Sequence, residues 1–167
     1  MDENGRIVVG TDGSPAAATA VHYALCEAVR RSLPLHVVAA VVAPDYWTEA
    51  YAVARGLPAM PDMRDTVRTA AQAQIDQAVA ADPALGSVAV VVDVHGGQAG
   101  RALVESATGA DLLIIGHRGH GALSSAILGS VGLYCVLHTT GPVTIVPSDW
   151  KPVQVRSAPA ASAAAGA

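Results

Sequence analysis

Five short runs of almost unbroken Val, Ile, Leu and Ala, at residues 6–10, 35–42, 88–94, 112–115 and 143–146, alternate with longer stretches of helical period. A strand that is apolar at successive positions has no solvent face. Such strands belong in parallel sheets whose crossover helices cover both sides. The alternation therefore predicts an α/β fold, a single doubly wound, Rossmann-like sheet of five parallel strands with helices on both faces. Right-handed crossovers in such a sheet put ligands at the carboxyl ends of the strands, where the winding reverses. The ends of the first and fourth strands are the expected floor of a site.

The helices are announced by their caps and stripes. Ser14 is the expected N-cap of the first, with Pro15 at the first helical position. Ala17, Val21, Ala24, Leu25, Ala28 and Val29 form its inner stripe, and it stops near Leu33-Pro34. A second helix should begin at Asp62 and end before Asp82-Pro83, burying Val67, Ala70, Ala71, Ile75, Ala78 and Val79 and exposing Arg64, Arg68, Gln72 and Gln77. A shorter one spans Gln98 to Thr108 between Gly97 and Gly109, and the last runs from Ser130 to Thr139 before Gly141-Pro142. Between Ala43 and Pro61 lies a turn-rich stretch holding Tyr46, Trp47 and Tyr51, a candidate lid or short helix.

The length of 167 residues suits one domain, expected over residues 1–147, with a flexible Pro, Ala and Ser tail over 148–167. A hydrophobic content of 51% against 14% charged residues excludes a disordered chain. The net charge of −4 argues against a nucleic-acid binder, which needs clustered Lys and Arg. No basic leader precedes an apolar stretch and no apolar run reaches membrane-spanning length, so the expectation is a cytoplasmic protein without a membrane partner. Cys26 and Cys135 lack zinc or redox spacing and are read as small buried hydrophobes. The histidines form no HExxH or i, i+4 pair.

Directly after the fourth apolar run come Gly116, Gly119, Gly129 and Ser130, a G-x2-G-x9-G-S spacing. Glycines at a strand exit permit positive φ and close ligand approach, and a helix starting at Ser130 offers free N–H groups to phosphate oxygens. The Walker pattern is absent, since the sole lysine is Lys151, and the turn Gly10 to Pro15 lacks the dinucleotide fingerprint. What the spacing resembles is the universal stress protein family, whose nucleotide-binding members carry G-x2-G-x9-G-(S/T) after the fourth strand. Ile7 to Ser14 is similar to that family's first strand and acidic turn, and Pro142 to Pro147 to its closing strand, so the likeness covers roughly Arg6 to Pro147.

The resemblance implies strand order 3-2-1-4-5, bound ATP with Mg²⁺, and a homodimer formed through the edge strand at residues 142–147. Gly116 and Gly119 would then line the ribose and phosphate side, while Gly129, Ser130 and Val131 present amides and a hydroxyl to phosphate. The base would lie against the end of the second strand, at Val41 or Val42. Asp12 would meet the sugar or reach Mg²⁺ through the nucleotide, although aspartates in D-G turns commonly bond their own backbone. Ser130 could be a plain N-cap and still serve. Arg118, with His117 and His120, crowds the same loop and is a candidate phosphate contact.

No triad, nucleophile elbow or glycosidase carboxylate pair is present, so binding is better supported than turnover. The leading expectation is a regulatory adenine-nucleotide binder acting on a protein partner that the sequence does not name. The alternatives are a slow ATP hydrolase or phosphotransferase using Asp12, and a cyclic-AMP-preferring or nucleotide-independent interaction protein of the same fold. A charge or a proline at Thr144 in the closing strand is expected to give monomers.

Overall fold

The computed structural model describes residues 5–41, 55, 63–117 and 128–152. In chain order the elements are β1 (Ile7–Thr11), α1 (Pro15–Arg31), β2 (Leu35–Val41), α2 (Met63–Ala81), a 3₁₀ turn (Pro83–Ser87), β3 (Val90–Gly96), α3 (Ala99–Ser106), β4 (Leu112–Gly116), α4 (Ser130–His138) and β5 (Val143–Val146). The five strands form one parallel sheet in the order β3-β2-β1-β4-β5, so the expected α/β class and strand order both hold.

Strand registers place Ile7 beside Leu35 on one side and Leu112 on the other, which brings the ends of β1 and β4 together at one rim of the sheet. Alternate residues serve opposite faces, as the period of two requires. Ile7, Val9, Leu35, Val37, Leu112, Ile114 and Val146 pack against α1 and α2, in a core that includes Val21, Leu25 and Ile75. Val8, Val38, Leu113 and Ile115 face Leu103 of α3 and Cys135 of α4 on the other side.

Ser14 caps α1 as expected: its hydroxyl accepts the Ala17 N–H at 3.2 Å, and Pro15 stands at the first helical position. Ser32 closes the helix in the left-handed conformation, at φ 54°. Two assigned inner positions turn outward, Val29 on α1 and Ala70 on α2, each at the margin of its apolar stripe. Asp62 and the turn-rich stretch with Tyr46, Trp47 and Tyr51 lie outside the described residues. So do Val42, Arg118, Gly119 and His120.

Apolar packing continues past the expected boundary at residue 147. Trp150 packs on the α1 side of the core, edge-on to Tyr23 with ring centroids 5.1 Å apart and to His22 at 5.8 Å. An aromatic among Pro, Ala and Ser anchors the segment just past β5 through apolar burial. Cys135 is fully buried, and desolvation pushes its thiol up to about 11; Cys26 is half-buried and its thiol is also raised, chiefly by burial. Neither is poised as a nucleophile at neutral pH. Among the described residues no helix is long and apolar enough to cross a membrane.

Candidate functional site

The winding reverses between β1 and β4, and a cavity of about 370 Å³ opens there, within the range usual for small-molecule sites. Gly10, Thr11 and Asp12 line it from β1, Ile115, Gly116 and His117 from β4, and Val38, Ala39 and Ala40 from β2. Gly129, Ser130, Val131 and Gly132 close it at the start of α4. The floor is apolar, and the polar groups gather at the β1 and α4 ends.

At the α4 end the structure corrects the expected cap. The N-cap is Gly129, not Ser130, and no side chain caps the helix. The first intrahelical bond runs from Leu133 N–H to Gly129 O at 2.9 Å, so the amides of Ser130, Val131 and Gly132 precede the helical ladder. Three N–H donors and the positive end of the helix dipole thus border the cavity.

Gly129 itself has φ −59° and ψ 159°, a conformation open to any residue, so the expected positive φ is not what calls for glycine here. Among the described residues, a Cβ built on it meets nothing within 4 Å. Neither backbone strain nor packing against the described residues explains the missing side chain, and Gly129 lines the cavity. Gly132 differs, since a Cβ there would stand 2.7 Å from the Leu128 side chain. Gly13, at φ +80°, is the residue that uses glycine's left-handed freedom, in the turn after β1.

That turn is held by a buried network. The Thr11 hydroxyl donates to Gln74 Oε1 at 2.6 Å, Gln74 Nε2 donates to Ser14 O at 3.1 Å, and the Gly13 N–H donates to Thr11 Oγ1 at 3.2 Å. The Asp12 carboxylate accepts the Ser14 N–H at 2.9 Å, which is the turn-stabilising role open to it from the start. Asp12 also lines the cavity, so one side chain both fixes the turn and faces the site.

Gln74 was missed by the sequence reading, although its place is legible. It lies three residues after Ala71 and four before Ala78, on the inner stripe of α2. Replacing it with Leu removes the acceptor of the buried Thr11 hydroxyl and one of the two donors to the Ser14 carbonyl, which keeps the Ala18 N–H at 2.9 Å, so Gln74→Leu should cost about 1–3 kcal/mol in urea unfolding.

Val41 is displaced from its expected role. Its carbonyl accepts the Gly97 N–H at 2.9 Å, on the β3 side of the strand, and it does not line the cavity. Main-chain groups alternate in direction along a strand. Ile7 N–H donates to Pro34 O, so residues 34, 36, 38 and 40 face β1. Since β1 ends opposite Ala39, the carbonyl of Ala40 is the first on β2 to reach past it into the crevice. Gly116, Gly129, Ser130, Val131 and Asp12 are brought together; Gly119 and Arg118 lie outside the described residues. His117 lines the cavity and fixes the end of β4 by donating its N–H to Val146 O at 2.8 Å.

The sequence model of the universal stress protein family matches residues 3–147. The chain belongs to that family. Universal stress protein Rv1996 of Mycobacterium tuberculosis is 31% identical over 165 residues, covering 93% of this chain and 52% of that protein. Universal stress protein Rv2624c of the same organism is 31% identical over 163 residues, covering 92% and 55%. This universal stress protein therefore spans about half the length of the curated relatives it matches. Among solved structures, a universal stress protein in complex with cAMP is 25% identical with a TM-score of 0.57, covering 87% of this chain and 98% of that one. The universal stress protein from Archaeoglobus fulgidus in complex with dAMP has 20% identity and a TM-score of 0.57, covering 84% and 96%, and supports the fold.

Proposed function

We propose that this chain binds ATP in the crevice between β1 and β4 and acts as a regulator whose nucleotide occupancy biases a protein partner. The observation that carries the reading is Gly129: a glycine with ordinary dihedrals, no described atom within 4 Å of where its side chain would start, and a place at the head of a helix without a side-chain cap. The triphosphate lies on the amides of Ser130, Val131 and Gly132, with the Ser130 hydroxyl beside them. The base reaches the floor formed by Val38, Ala39 and Ala40, where the Ala40 carbonyl accepts from an exocyclic amino group. Gly116 and Gly119 border the sugar, and Arg118 meets phosphate from the loop.

Among the described residues no group of three His, Cys, Asp or Glu could hold a metal ion. One carboxylate, Asp12, lines the cavity. That donor set fits Mg²⁺ arriving on the triphosphate, which keeps its waters and takes one protein carboxylate. Among the described residues no second group there is placed to position a water, and the proposed output is binding rather than turnover. Isothermal titration with ATP, ADP and cAMP tests the reading, with ATP binding expected and its absence at saturating Mg²⁺ counting against it.

A cyclic-AMP preference is the second reading. No lysine or arginine lines the cavity among the described residues, which suits a single phosphate charge, and a structure at 25% identity is a complex with cAMP. The same titration ranks the two ligands.

The partner expected at the β5 edge is a second copy of this chain, pairing through residues 142–147. Leu113 N–H donates to Pro142 O and His117 N–H to Val146 O, so residues 142, 144 and 146 face β4, and Val143 and Ile145 turn their main-chain groups to the open edge. Proline at Thr144 would therefore cut the chain's own ladder. Val143→Pro, at the first residue of the strand, removes an edge donor instead and should yield monomers by size-exclusion chromatography with the folded spectrum kept.

A further inference from the structure

Among the described residues two side-chain polar atoms are buried without a hydrogen-bond partner, Nε2 of His22 on α1 and Oγ1 of Thr139. A folded chain seldom keeps such an atom, because it has given up water and gained no partner in exchange. His22 is the more informative of the two. The ring packed on it is Trp150, from a segment that belongs to no helix or strand.

The chain leaves β5 at Val146 and turns at once, the Trp150 N–H donating to Pro147 O at 3.1 Å. Among the described residues that is the one backbone hydrogen bond made by residues 147–152. The turn carries the indole back to α1, where it meets Tyr23 and His22 edge-on, at centroid distances of 5.1 and 5.8 Å. Successive helical residues point about 100° apart, so the indole sits in the notch between the two rings. Tyr23 and Trp150 both pack on the α1 side of the core, and that apolar contact favours the docked position. His22 opposes it. With the indole in place, its Nε2 has neither water nor a partner, and lifting the indole gives the water back.

We propose that residues 147–152 form a strap with two positions, closed with Trp150 docked on α1, and open with the turn released and the His22–Tyr23 patch uncovered. The unpaired His22 nitrogen sets the balance between them. Two adjacent residues of one helix, touching the same indole, thus act with opposite signs: Tyr23 holds the strap down and His22 keeps it ready to lift.

Hydrogen exchange of the Trp150 amide, followed by NMR in the full chain without nucleotide, tests the strap, because native-state exchange reports the population of local opening. In the wild type this amide should exchange at least about a hundredfold faster than that of Val9 in the buried strand β1. Tyr23→Leu should speed the exchange further. His22→Leu should slow it at least about fivefold, since it removes the stranded nitrogen. Were packing alone at work, His22→Leu would lose an aromatic contact and speed the exchange as Tyr23→Leu does. His22→Phe, which keeps a ring there, should slow it too and decides the matter if the leucine variant fails to fold. Acrylamide quenching of Trp150 fluorescence, read with Trp47→Phe because the chain has two tryptophans, should rank the variants in the same order. A Trp150 amide that exchanges only as slowly as Val9, or exchange that is unchanged or faster in both His22 variants, would overturn the proposal.

Discussion

Gly129→Asp should lower ATP affinity at least about a hundredfold, close to 3 kcal/mol, while leaving the fold as stable as before or slightly more so. The two effects have opposite signs for one reason. Gly129 is the N-cap of α4 and carries nothing to accept the first-turn amides. Aspartate is among the preferred N-cap residues and adds a negative charge at the positive end of the helix, worth about 0.3–1 kcal/mol. The dihedrals already suit it, and among the described residues no atom within 4 Å opposes its Cβ. The same carboxylate would occupy the phosphate position and repel phosphate. Gly129→Asn separates the causes: it caps equally well and fills the space without charge, so the difference between the two variants measures electrostatics. A thermal midpoint that falls sharply in Gly129→Asp would mean the helix start is not built as described.

Leu25→Ala should destabilise the protein by about 2–5 kcal/mol, the range for removing a fully buried leucine and leaving its cavity. Leu25 is fully buried on α1, in the core formed with Ile7, Ile114 and Ile75. At roughly 2–4 °C per kcal/mol for a domain of this size, thermal unfolding should begin at a visibly lower temperature. ATP affinity of the folded variant should be unchanged, since Leu25 does not line the cavity. A drop below about 1 kcal/mol would show that the α1 side of the sheet is less tightly packed than its burial implies.

The fold was largely legible because its signals are local. Fully apolar strands such as Leu112 to Ile115 have one arrangement that buries both faces, and Ser14-Pro15 marks a helix start by chemistry that neighbours cannot easily reverse. The place of the cavity at the ends of β1 and β4 was legible too, and Gly116, Gly129 and Ser130 line it. What was not legible depends on three-dimensional register. Whether Ala40 or Val41 faces the crevice is decided by which strand each carbonyl points to, and a shift of one residue exchanges the answer. Thr144 fails as an edge probe for the same reason. Gln74 acts on the turn after β1 from a helix some sixty residues away, which only packing reveals. Trp150 reads as part of the tail in the sequence because its partners, Tyr23 and His22, lie more than a hundred residues upstream.

The unshielded amides at the start of α4 carry the proposed nucleotide site, and a crystal structure of the wild type grown with ATP and Mg²⁺ tests them most directly. It should place phosphate oxygens within about 2.7–3.2 Å of the amide nitrogens of Ser130, Val131 and Gly132, with the base on Ala39 and Ala40. Triphosphate density elsewhere on the molecule, or a crevice filled by the chain's own side chains at saturating ATP, would contradict it.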